Sequence, residues 1–214
     1  MMKSNKERFD SWYKKPESKK WMKDYMKSYY SKNKNELLIY QKEVRNNYDK
    51  PLKNIVRDKL INIIKNYKID SILTLESHKF LFSKKLPEKK VIVYEKDKNV
   101  FTWMQKPKPK NVKLVFGDIS DYAELNGRVD CVYLDFCGNW YGSKETILNL
   151  RETIKDSKLF ILTLAVRDNQ TEIEGDYQFY IISQLQELFN LKVIYGEQYK
   201  DSGVMVTIAF EVLK

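Results

Sequence analysis

Val91-Ile92-Val93-Tyr94-Glu95, Val112-Lys113-Leu114-Val115-Phe116-Gly117-Asp118 and Val129-Asp130-Cys131-Val132-Tyr133-Leu134-Asp135 are three short runs that each end on an acidic residue. Val, Ile, Tyr and Phe dominate them, and patterns of helical spacing separate them, as in β-α units that build a parallel sheet. The carboxyl ends of the strands border the ligand crevice of an open parallel sheet, so carboxylates placed there meet a ligand's hydroxyls, amines or positive charge. The three runs predict such a sheet with a nucleoside-type binding site.

On the amino-terminal side, Pro51 suits the first turn of a helix that is apolar at Leu52, Ile55, Val56, Leu60, Ile63, Ile64 and Tyr67. A strand follows within Ile69–Leu75, then a predicted helix from Ser77 to Leu86. Further helices are expected near Asn99–Gln105 and Ser143–Lys155, with a Lys/Pro break at 106–111. Leu159–Val166 is apolar on both faces, as strands buried in parallel sheets are. After a helix near Asp176–Asn190, the strands Leu191–Tyr195 and Val204–Leu213 are joined by a loop too short for a crossover, so they must pair antiparallel. The expectation is an α/β fold: a seven-stranded, mostly parallel, doubly wound sheet closing on an antiparallel hairpin.

At 214 residues and 43% hydrophobic, the chain suits one main core. No apolar stretch approaches a membrane span, and Met1–Lys6 has no apolar run of the signal-peptide kind, so a soluble, cytoplasmic protein is expected. Cys131 and Cys137 share one short segment, which predicts reduced thiols. His78 is the sole histidine and no CxxC or HxxxH occurs, so no metal site is expected.

The net charge of +10 is uneven, since the first fifty residues hold fourteen Lys or Arg against seven Asp or Glu. Residues 1–48 are read as a basic, aromatic-rich helical arm and 49–214 as the folded domain. Trp21, Tyr25 and Tyr29 fall at four-residue steps among Lys19, Lys20, Lys23 and Lys27. Such a face can stack on bases while its rim holds phosphates, although the rings can equally dock the arm onto the domain. The stretch Lys19–Asn47 resembles the Tyr/Lys/Asn-rich repeats of phage and mobile-element proteins, and the Lys, Asn, Ile and Tyr bias fits an AT-rich, viral or phage genome.

From Asp49 to Lys214 the order of elements and the strand-end residues resemble the class I S-adenosylmethionine-dependent methyltransferases. The resemblance implies that S-adenosylmethionine is the cofactor. It further implies that Glu95, with Lys96 beside it, binds the ribose, and that Asp118 in Phe116-Gly117-Asp118-Ile119 contacts the adenine amine while Ile119 packs on the ring. Enzymes that methylate base amino groups carry Asp/Asn-Pro-Pro-Tyr after the fourth strand; here the segment reads Asp135-Phe136-Cys137-Gly138-Asn139-Trp140-Tyr141, without the prolines. Asp135, which also borders the cofactor, would accept a hydrogen bond from a target amine, with Phe136, Asn139 and Trp140 completing the catalytic set and Phe136, Trp140 or Tyr141 stacking on an extruded base. Cytosine C5 methyltransferases instead use a cysteine in this segment, which makes Cys137 an alternative nucleophile.

The loop after the first strand departs from the family. A glycine-rich turn usually stands there, whereas this chain has Leu75-Glu76-Ser77-His78-Lys79 and no glycine before Gly117. Either Leu75, Glu76 and Ser77 hold the amino-acid end of the cofactor, or Glu76 serves a helix start and the site is degenerate. His78 is a candidate base or a local hydrogen-bonding residue, and Arg167 and Asp168 follow the fifth strand. The function expected is methylation of nucleic acid, DNA or RNA, at a base amino group. The alternatives are a non-catalytic nucleic-acid-binding protein on the same scaffold, or a methyltransferase acting on protein or a small molecule.

Overall fold

The computed structural model describes Asp24 and residues 51–122, 128–136, 138–166, 177–200 and 203–214. The chain divides between Asp49 and Lys50, and all described residues beyond Asp24 belong to the second unit. That unit holds one seven-stranded sheet of order β3-β2-β1-β4-β5-β7-β6. The strands are β1 (Ser71–Thr74), β2 (Lys90–Glu95), β3 (Val112–Phe116), β4 (Cys131–Asp135), β5 (Leu159–Val166), β6 (Leu191–Lys200) and β7 (Val204–Val212). The first five pair parallel, while β7 runs antiparallel between β5 and β6, as the short final connection requires. The helices are α1 (Pro51–Asn66), α2 (Lys98–Met104), α3 (Trp140–Asn149), α4 (Arg151–Asp156) and α5 (Tyr177–Leu188).

Alternating strand residues feed two cores. Leu73, Ile92, Val132, Leu134, Phe160 and Leu162 face α3, α4 and α5. Ile72, Val91, Val93, Cys131, Tyr133 and Ile161 face α1, the β1–β2 connection and α2. Because β5 lies inside the sheet, its first six residues are all buried, which accounts for its unbroken apolar run. Its one polar member, Thr163, is satisfied by Thr207 directly opposite on β7, with hydroxyls 2.8 Å apart. At the other end of the strands Asp130 clamps β1, accepting from Asp70 N at 2.9 Å and Ser71 N at 3.1 Å, while Lys158 Nζ lies 2.8 Å from its second oxygen.

Three expectations change in detail. The helix from Ser77 to Leu86 does not form; a 3-10 turn at Ser83–Lys85 replaces it. Phe80 sits at φ +50 with its ring fully buried, and Phe82 and Leu86 are buried beside it, so burying three large side chains from one short loop overrides helical spacing. Asn111 pins this loop to the start of β3, its Nδ2 donating to the carbonyls of Ser83, Leu86 and Lys89 at 3.2, 2.9 and 3.2 Å. The helix after β4 begins at Trp140, three residues before the expected start, and is broken at Leu150 into α3 and α4. On α1 the buried face is Val56, Leu60, Ile61 and Ile64, while Leu52 and Ile55 remain 43% and 51% exposed.

Candidate active site

The carboxyl ends of β3, β2, β1 and β4 stand side by side in that order. Glu95 is the last residue of β2 and is half-buried; its Oε1 accepts from Asp97 N at 2.7 Å, and its carbonyl accepts from Gly117 N at 3.2 Å. Gly117 has φ +151, a region costly for any residue with a Cβ, and this lets the chain turn between β3 and Asp118. Asp118 then starts a 3-10 turn over Ile119–Asp121, its Oδ1 accepting from Ser120 N at 3.0 Å and Ser120 Oγ at 2.9 Å. Its other oxygen lies 3.3 Å from Lys96 Nζ. The Ser120 N–H, opposed by partial burial and helped by the Ser120 hydroxyl and Lys96, holds the Asp118 carboxyl below the usual aspartate range. Ile119 is only 3% exposed and packs in the core, so the ring contact expected of its side chain is not presented in this structure.

After β1 the arrangement differs. Glu76 turns back into its own loop, where Oε1 accepts from Phe82 N at 2.6 Å and Ser83 N at 3.1 Å, and Oε2 is bonded to the Ser83 hydroxyl. Burial pushes its carboxyl above the usual glutamate value, opposed by these hydrogen bonds and by Arg57. Of the two readings of Glu76, this geometry is the turn-starting one, a carboxylate at the head of a 3-10 turn rather than of a helix. Leu75 is half-buried, and Ser77 and His78 are exposed.

Asp135 ends β4 and is gripped by Lys53 of α1, whose Nζ lies 2.9 Å from Oδ2 and 3.0 Å from Oδ1. Below it Tyr133 is buried, its ring 4.9 Å from that of Phe82, and burial raises its phenol well above the ordinary tyrosine value. Phe136 is half-buried and its N–H donates to Thr163 O at 3.0 Å, extending the β4–β5 ladder by one rung. Asn139 is the N-cap of α3, accepting from Gly142 N at 3.1 Å. Trp140 is 1% exposed with its ring within the core, and its backbone N–H donates to the Tyr177 hydroxyl at 3.1 Å. The stacking role expected of Trp140 is therefore corrected: its indole is buried in the core with Lys144 Nζ 5.9 Å from its ring centre, and the exposed ring of the segment is Tyr141, at 63%. Lys53 and Arg57 were missed in the sequence, because a lysine and an arginine one turn apart on a helix carry no signal of what the sheet places opposite them.

Cys137, Arg167 and Asp168 lie outside the described residues, as do Lys19, Lys20, Trp21, Lys23, Tyr25, Lys27 and Tyr29. Cys131 is fully buried, and burial, with Asp130 adding to it, pushes its thiol far up, so it is no nucleophile. Among the described residues no group of three or more His, Cys, Asp or Glu could hold a metal ion, and no helix is long and apolar enough to cross a membrane.

No family model and no curated protein matches the sequence. Solved structures do match the fold. A protein of Pyrococcus horikoshii, PH1948, assigned as an RNA methyltransferase, is similar at TM-score 0.57 and 15% identity over 76% of this chain and 85% of its own. The N-methyltransferase NodS of Bradyrhizobium japonicum WM9 is similar at TM-score 0.59 and 12% identity over 78% of this chain and 99% of its own. The N-terminal domain of EvdMO1, solved in the presence of SAH and D-fucose, is similar at TM-score 0.51 and 12% identity over 78% and 84%. This chain has a methyltransferase-like α/β fold.

Proposed function

We propose that this chain is an S-adenosylmethionine-dependent methyltransferase acting on nucleic acid, at a base amino group. The observation that carries the reading is that Glu95, Asp118 and Asp135 stand at the carboxyl ends of β2, β3 and β4 in a sheet of methyltransferase order. The donor set suits the cofactor: half-buried carboxylates at Glu95 and Asp118 are acceptors of the kind that a ribose diol and an adenine amine require. Glu95 would hold the ribose, with Lys96, Gly117 and Asp118 bordering the adenine and Leu75 and Ser77 bordering the amino-acid end. When bound, the cofactor supplies an electrophilic methyl group on a sulfonium. The chain's part is then to align the acceptor in line and to exclude water. Asp135 accepts a hydrogen bond from the target amine and takes its proton as the new bond forms, which requires Lys53 to yield its place. Tyr141 is the ring available to stack on the base.

Nucleic acid as substrate is supported by the arm, whose net +7 in fifty residues and interleaved rings match a phosphate backbone and unpaired bases. Two of the fold's neighbours point the same way or leave it open: one is assigned to RNA and one is an N-methyltransferase. Titration calorimetry with S-adenosylmethionine and its demethylated product, followed by transfer of a tritiated methyl group to bulk RNA or DNA, tests the reading. One observation favours a second reading, a nucleic-acid-binding protein on the same scaffold without catalysis: the glycine-free loop after β1 commits Glu76 to its own backbone. No binding heat and no thermal shift at millimolar cofactor would replace the first reading by the second.

A further inference from the structure

One stretch of the folded domain carries lysines and no acid at all. Of the net +10, the first fifty residues carry +7, and the twenty residues Lys98–Gly117, with five lysines and no acid, carry +5. Residues 51–97 also carry +5, but with six acids among eleven bases, and residues 118–214 carry −7. In the fold these twenty residues are one contiguous unit: α2, its exit turn, and β3, which is the edge strand of the sheet. Lys98, Lys106, Lys110 and Lys113 are exposed, and none of the four is in an ion pair among the described residues. The same unit shows rings to solvent. Trp103 is 58% exposed, and Phe116, at the end of β3, is 54% exposed while its ring stacks obliquely on Phe101, 5.3 Å between centroids.

Lysines alone on an edge strand are the ordinary protection against edge-to-edge pairing. That device does not call for two large aromatic side chains left more than half exposed beside them. Rings set among unpaired ammonium groups are what binds an unpaired nucleic-acid strand, with bases stacked on the rings and phosphates on the lysines. We propose that the α2–β3 edge is a single-strand nucleic-acid surface that belongs to the folded domain itself. It deepens the nucleic-acid reading above and rests on it for the class of partner, while the position is fixed by charge complementarity and exposure. Phe116 immediately precedes Gly117 and Asp118, so a strand held there runs past the adenine end of the proposed crevice.

The test uses the full chain and fluorescence anisotropy with labelled oligouridine and oligothymidine over a salt series. Phe116→Ala combined with Trp103→Ala should weaken binding about tenfold or more at fixed salt while leaving the salt slope unchanged. Gln at Lys98, Lys106, Lys110 and Lys113 together should flatten the slope by roughly 3, at about 0.7 per phosphate contact on a single strand. All six positions are exposed, so thermal melts of both variants should match the wild type. If the wild type binds the oligonucleotides and both variants bind as it does, the edge surface is wrong and the nucleic-acid reading stands on the arm alone. If the wild type binds no oligonucleotide, the nucleic-acid reading falls and the edge surface falls with it. Binding of the wild type to phosphatidylserine vesicles in preference to oligonucleotides, or a change of oligomeric state in the aromatic variant by light scattering, also overturns the proposal.

Discussion

The carboxylates at the ends of β2 and β3 accept from N–H groups of the next turn, whereas the one after β1 is spent across its own longer loop and the one after β4 is gripped by a distant lysine. Glu95 and Asp118 accept from N–H groups two residues along, and Asp118 also accepts from the Ser120 hydroxyl and meets the well-exposed Lys96. Glu76 reaches six and seven residues ahead to Phe82 and Ser83, and Asp135 is clasped by Lys53, eighty-two positions away. The same sequence feature, a strand ending on an acid, thus has two outcomes. One half of the crevice mouth keeps its carboxylates near solvent on short-range partners; the other half spends its carboxylates on its own longer loop or on a more buried lysine. A ligand at Asp118 would compete with the solvent-screened Lys96, whereas one at Asp135 would have to displace the more buried Lys53.

The largest effect is expected at the engaged half. Asp135→Ala should lower the turnover of methyl transfer by about 10²–10⁴-fold, the range for losing a positioned proton acceptor, while cofactor affinity stays near wild type. Equal losses in turnover and cofactor binding would place Asp135 on the cofactor and erase the division drawn here.

Glu76 tests whether the loop after β1 is structural. Glu76→Ala strips two backbone N–H groups and a hydroxyl of their acceptor, at about 1–3 kcal/mol per group left unsatisfied, so denaturant unfolding should show a loss of about 3 kcal/mol or more. The pH dependence has a definite sign. Because burial raises the Glu76 carboxyl above its ordinary 4.5, its favourable contribution is fully present below that value and is lost as pH rises through the raised one. Glu76→Gln keeps an acceptor oxygen without the charge and should flatten stability across that window. A variant that tracks the wild type in slope shows that the carboxylate is not what titrates there.

Strand order, the closing hairpin and the positions of Glu95, Asp118 and Asp135 were legible because β-rich runs, their turns and their terminal acids are local in sequence. The loop after β1 was not. Phe80, Leu81 and Leu86 have helical spacing, and only the core can show that Phe80 is better buried at φ +50 than placed in a helix. Trp140 was misread for a similar reason: a tryptophan next to a motif is as consistent with the core as with a base, and the burial that decides it is set by core residues far along the chain. The Lys53–Asp135 pair spans more than a third of the chain, so no local pattern announced it.

At the open half the expected effect is smaller and falls on binding. A charged acceptor on a buried hydroxyl pair is worth roughly 1.5–3 kcal/mol, so Glu95→Ala should weaken cofactor affinity about ten- to a hundredfold by calorimetry, with the melting temperature of the free protein little changed. A large fall in that temperature would mean that Glu95 is committed to the fold as Glu76 is, and the two halves would no longer differ.

The smallest effect separates the two lysines that meet these carboxylates. Lys96 is 77% exposed and 3.3 Å from a carboxylate that is itself 39% exposed, so water screens the pair and both side chains give up freedom to form it. Lys96→Ala should change folding stability by less than about 1 kcal/mol and be indistinguishable from wild type at high salt. Lys53 and Asp135 are 24% and 20% exposed and meet through both carboxylate oxygens, so Lys53→Met leaves a largely desolvated anion without its partner. Its cost should be about 1.5–3 kcal/mol, in the range of a hydrogen bond to a charged group, and should persist in salt. Chemical denaturation of the two variants at low and high ionic strength makes the comparison directly. Equal, salt-sensitive losses would show that Lys53 is as loosely held as Lys96, and the displacement that substrate binding at Asp135 requires would then cost almost nothing.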